Sequence, residues 1–136
     1  MKILHYSILP AVILFGFVCC KRRPANQAQH LISPSGQYVL TLPIEENTRD
    51  PRYAKTGVWK VSIHDSKGVL EYKDEHSTMV GSLNVYWAWD ENDRVWIFNS
   101  DDATMVRWEK QEKEWTKKEV PKQEEDEAPD SLLPRV

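Results

Sequence analysis

The sequence predicts an all-β domain: a single antiparallel meander of about seven strands, closed into a small barrel or a sandwich-like sheet. Two observations carry that expectation. From Gln37 onward the apolar residues recur with a period of two, and no stretch sustains the helical period. Short clusters of turn-forming residues separate these runs, which makes successive strands antiparallel neighbours.

The clearest strand holds Leu83, Val85, Trp87 and Trp89 on one face and Ser82, Asn84, Tyr86 and Ala88 on the other. Trp59, Val61 and Ile63 alternate with Lys60, Ser62 and His64 in the same way. Trp96 and Phe98 oppose Val95 and Ile97, the pattern of a strand buried on both sides. Val106 and Trp108 alternate with Met105, Arg107 and Glu109. Residues 38–42 open the sheet, 69–73 add a short strand, and 115–120 close it. Asp65-Ser66-Lys67-Gly68 is a tight-turn sequence with a glycine free to take positive φ. Residues 90–93, 100–103 and 111–114 supply further turns.

Four parts follow along the chain of 136 residues. Residues 1–20 form a signal or membrane-anchor segment, 21–32 a basic neck, 33–120 the β-domain and 121–136 an acidic tail expected to be disordered. Lys2 precedes an apolar run from Ile3 to Cys20, whose dense part, Ile8 to Val18, has signal-peptide rather than membrane-span length. Both cysteines, Cys19 and Cys20, end this run, so the body folds without disulfides. Lys21, Arg22 and Arg23 follow it. The unbroken acids Glu124 to Glu127, between Pro121 and Pro129, are a self-repelling run of the kind that stays solvated.

A charged start, an apolar run and a terminal cysteine resemble a bacterial lipoprotein signal, which implies lipidation of Cys20. Ser33-Pro34-Ser35-Gly36-Gln37-Tyr38-Val39 resembles the opening of a β-propeller blade, as does Trp89-Asp90 through Arg94-Val95-Trp96 followed by Ser100-Asp101-Asp102. A propeller needs at least four blades of about 40 residues, and this body has room for two. The likeness therefore implies hairpin chemistry. As a whole the chain is similar to small bacterial lipoproteins of the cell envelope.

Composition sets further limits. A mean hydropathy of −0.60 excludes a polytopic membrane protein. A net charge of −3 argues against a nucleic-acid partner, which calls for a basic surface. His30, His64 and His76 are isolated, so no metal site is expected. Asp90, Asn92 and Asp101 match positions one, three and twelve of a calcium loop. Arg94 and Val95 then occupy positions five and six, where an oxygen ligand and a glycine are needed. No Gly-x-Ser-x-Gly elbow or phosphate-binding glycine loop occurs. No cofactor and no enzymatic activity are expected.

Recognition is what remains. The polar stretch 43–56 is longer than a hairpin loop and carries Arg49 and Arg52 as candidate contacts. Tyr86, opposite the clearest apolar face, and Trp115, beside Lys117 and Lys118, are the aromatics expected at the surface. The function expected is that of a membrane-tethered, non-enzymatic envelope protein on the periplasmic or surface face, with a binding or structural β-domain. Open alternatives are a glycan- or peptidoglycan-binding module and an inhibitor or immunity protein acting on a toxin or hydrolase.

Overall fold

The computed structural model describes residues 30–46 and 56–132. The signal or anchor segment, Cys20, Arg49 and Arg52 lie outside the described residues. The fold is all-β, with every strand pair antiparallel. Ten strands are described: β1 (Leu31–Ile32), β2 (Tyr38–Thr41), β3 (Ile44–Glu45), β4 (Val58–Trp59), β5 (Ser62–Asp65), β6 (Leu70–Lys73), β7 (Val85–Trp89), β8 (Val95–Asn99), β9 (Thr104–Gln111) and β10 (Glu114–Glu119). They form one four-stranded sheet in the order β1-β2-β5-β6, another in the order β10-β9-β8-β7, and a separate hairpin, β3-β4.

The single meander expected from sequence is thus divided between two sheets. Strands β7 to β10 do run as a meander. In the first sheet β2 pairs with β5, because β3 and β4 leave the sheet as their own hairpin. That hairpin closes the polar stretch 43–56 from both ends, through Ile44 opposite Trp59 and Glu45 opposite Val58. Two-residue strands such as β1, β3 and β4 are too short to show a period of two, which is why about seven strands were legible and ten are found among the described residues.

The two sheets bury their inner faces against each other. Leu40 and Ile63 of the first sheet join Val85, Trp87, Trp89, Val95, Ile97 and Trp108 of the second in one core. Aromatic contacts cross the gap: Trp59 lies 5.6 Å from Trp87, and Tyr38 lies 5.1 Å from Trp115, edge to face. Ion pairs stitch one seam of the sandwich, where Lys110 meets Glu71 at 2.7 Å and Lys117 meets Asp74 at 2.9 Å.

Strand β8 is buried on both sides, because the outer face of the second sheet is also covered. Trp96, Ala88 and Met105 pack there with Val120 and Leu132. The covering piece is the segment expected to be a solvated tail: Lys122–Glu127 form a 3-10 helix, and Leu132 is fully buried. Self-repulsion of the acidic run is offset by a basic outer face. Arg107 donates to Glu127 at 3.3 Å and to Glu124 at 3.4 Å, Arg94 donates to Glu127 at 3.2 Å, and Lys118 pairs with Glu124 at 3.2 Å. These cations are scattered in sequence. The pairing of Trp96 with Arg107, and of Arg107 with Lys118, brings two of them into one row.

Leu132→Ala is expected to destabilise the full chain by about 2–3 kcal/mol, the lower part of the range for a buried leucine. Urea unfolding followed by tryptophan emission measures it. A loss below about 0.5 kcal/mol, typical of surface positions, would mean the segment does not hold the outer face closed.

Candidate interaction face

In the first sheet the inner row runs Leu31, Leu40, Ile63 and Tyr72 across all four strands. The next row, Ile32, Val39, His64 and Leu70, therefore points outward. Ile32 is 66% exposed and Leu70 51% exposed, while Val39 and His64 between them are half-buried. Val69, just before β6, is 59% exposed. The second sheet has its outer face covered by residues 120–132; among the described residues no such segment packs on this row.

A β-bulge places Leu70 in that row. His64 pairs with Leu70 while Ile63 pairs with Tyr72, so Glu71 is an extra residue in β6. In an unbroken ladder Glu71 would face outward opposite His64, and Leu70 would turn inward. The bulge reverses both directions. The Glu71 carboxylate reaches the second sheet, accepting from Trp115 Nε1 at 2.9 Å and Lys110 Nζ at 2.7 Å. These bonds hold its pKa below the usual glutamate value, Lys110 contributing most and Trp115 next. Lys110 is raised in turn, chiefly by Glu71. The turn before β6 is fixed by Asp65, whose Oδ1 accepts from the backbone of Lys67 and Val69 at 2.8 Å, and by Gly68 at φ +84°.

Trp115 is buried, against the expectation that it lies at the surface. The flanking lysines suggested exposure, but its position on β10 turns the indole inward against Tyr38 and Trp89. Tyr86 is half-buried beside Phe98, on the outer face that the C-terminal segment covers. The exposed row was missed because its residues are far apart in sequence. Only Val69-Leu70, two adjacent apolar residues just after a turn, carried a local signal.

A cleft of about 390 Å3 lies at the end of the sandwich near Tyr38, Asn92, Arg94, Lys110 and Trp115. Its cations are already paired, Lys110 with Glu71 and Arg94 with Asp90. Lys110 Nζ also sits 5.0 Å from the Tyr38 ring centre and 5.9 Å from that of Trp115. It therefore covers one face of each ring. Among the described residues no group of three or more His, Cys, Asp or Glu side chains is placed to hold a metal ion. Comparison with known proteins finds no family model, no curated protein and no solved structure that matches the chain.

Because the Glu71 pKa is depressed on folding, its contribution is present above the ordinary glutamate pKa. It is lost as pH falls through the lower folded value. Glu71→Gln should lower stability at neutral pH by about 1 kcal/mol, the scale of a partly exposed charged hydrogen bond. The gap from wild type should close on going to acidic pH, as the carboxylate is protonated through its lowered pKa. A gap of the same size at both pH values, in urea titrations, would show that the carboxylate charge plays no part.

Proposed function

We propose that this chain is a non-enzymatic envelope protein, tethered to the membrane at Cys20, whose β-domain binds a partner protein through the outer face of its first sheet. The observation that carries the reading is the outward row Ile32, Val39, His64 and Leu70, whose apolar ends Ile32 and Leu70 are exposed and whose middle is half-buried. Exposed apolar residues gathered on one face mark interaction sites, whereas scattered ones need no explanation. Polar residues flank the row, Asp65, Ser66 and Lys67 at one turn and Thr41 and Lys73 in the next outward row, where Ser62 between them is buried. An apolar centre within a polar rim is the anatomy of a protein interface.

A lipid surface would ask for surplus positive charge beside the apolar residues. Here Lys73 is held by Glu45 at 2.9 Å and lies 3.6 Å from Glu75, which leaves Lys67 beside Asp65. A protein partner suits that near-neutral surround better. The tether rests on the resemblance of residues 1–20 to a lipoprotein signal.

The test compares membrane-extracted wild type with the double variant Ile32→Glu, Leu70→Glu and with Lys113→Glu, at the β9–β10 turn, as control. All three should unfold within about 0.5 kcal/mol of one another, since the substituted side chains are on the surface. A specific cross-linked protein should appear with wild type and the control and vanish with the double variant. Retention of that protein by the double variant would overturn the docking face. So would vesicle binding by the Cys20→Ser form that the double substitution then abolishes. Intact mass tests the tether separately: cleavage before Cys20 plus acyl groups is expected, and a full-length unacylated mass would remove it.

A further inference from the structure

We propose a second site, at the end of the sandwich away from the Tyr38 cleft, for a small amphipathic cation of the alkylammonium class. A pocket of about 350 Å3 opens there, at the small end of the range of about 300–1,000 Å3 for small-molecule sites. It lies where the two apolar clusters meet. Met79 and Ile97 come from the core between the sheets, and Met105 and Val120 from the cluster under the C-terminal segment. Methionine side chains are flexible and polarizable, so such a floor can adapt to an aliphatic stem.

The mouth has the opposite character. Asp102, Glu119 and Glu125 line it with one cation, Lys117. Lys117 is already bound to Asp74 at 2.9 Å, and Asp102 accepts from the Thr104 backbone and hydroxyl. Glu119 and Glu125 make no ion pair among the described residues. Neighbouring acids do: Glu124 pairs with Arg107 and Lys118, and Glu127 with Arg94 and Arg107. Thr78, Asn99 and Thr104 give this apolar floor polar walls, and the negative charge above it matches an aliphatic stem ending in one positive group. A carboxylate on the same stem would be repelled, and an alcohol would gain the apolar contact alone.

Of the three methionines in the chain, Met1 precedes the expected cleavage before Cys20, so methyl labelling of the processed protein gives two signals, Met79 and Met105, both from the pocket. The processed protein in detergent is titrated with hexylammonium, hexanol and hexanoate. Hexylammonium should shift the Met79 and Met105 methyls saturably, hexanol about tenfold more weakly, and hexanoate not at all. The double variant Glu119→Gln, Glu125→Gln removes no described ion pair. It should lose most of the preference for hexylammonium over hexanol, since only the Asp102 charge remains at the mouth. The proposal is overturned if hexanoate shifts the two methyls as well as hexylammonium does, or if no probe shifts them saturably. It is overturned equally if the double variant keeps the tenfold preference. The pocket is remote from the first-sheet face, so neither result bears on that docking reading.

Discussion

The second sheet and everything packed on it depend on one buried carboxylate. Asp90 is 7% exposed and sits at the turn between β7 and β8. Its Oδ1 accepts from the backbone of Asn92 and Arg94, both at 2.9 Å, and its Oδ2 accepts from Trp96 Nε1 at 2.8 Å and from the Arg94 guanidinium. A charge this buried persists only when its acceptor sites are filled. Burial pulls its pKa upward, but the bonds from Trp96 and Arg94 outweigh it and the net shift is downward. By fixing Trp96, Asp90 also fixes what lies over it. The Arg107 guanidinium is 5.0 Å and that of Arg94 5.4 Å from the indole centre. Those two arginines then bind Glu127, and Arg107 also binds Glu124. The C-terminal segment is thus fastened, through two layers of charge, to a hairpin turn.

The same device recurs in the first sheet. Asp65 binds the backbone two and four residues ahead, as Asp90 does. Each turn therefore carries its own lock on strand register, and this much is legible from an aspartate placed at the start of a hairpin turn. The alternation of Trp87 and Trp89, and the two-sided burial of β8, were equally legible, because a period of two in a half-buried strand leaves little choice of face.

What sequence hid was anything decided by partners far along the chain. The acidic run looks self-repelling until Arg94, Arg107 and Lys118 are brought beneath it. Trp115 looks exposed beside two lysines until β10 pairs with β9 and turns it inward. Lys117 itself points into the sandwich, over the Trp108 ring at 5.4 Å and onto Asp74. The bulge at Glu71 follows from register, which no local pattern encodes. The apolar row on the first sheet needs three pairings to assemble, so it was invisible for the same reason.

The two sheets differ in how their outer faces are finished, and that difference has a structural cause. The second sheet ends in a segment long enough to fold back, with cations beneath it to hold it. The first sheet has short edge strands, and Glu71, which could have interrupted the apolar row, is diverted into the seam by the bulge. The seam contacts of Glu71 with Lys110 and Trp115, and of Asp74 with Lys117, tie β6 to the second sheet. The interactions that hold the sandwich together thus also draw the Glu71 charge away from the outer face of the first sheet.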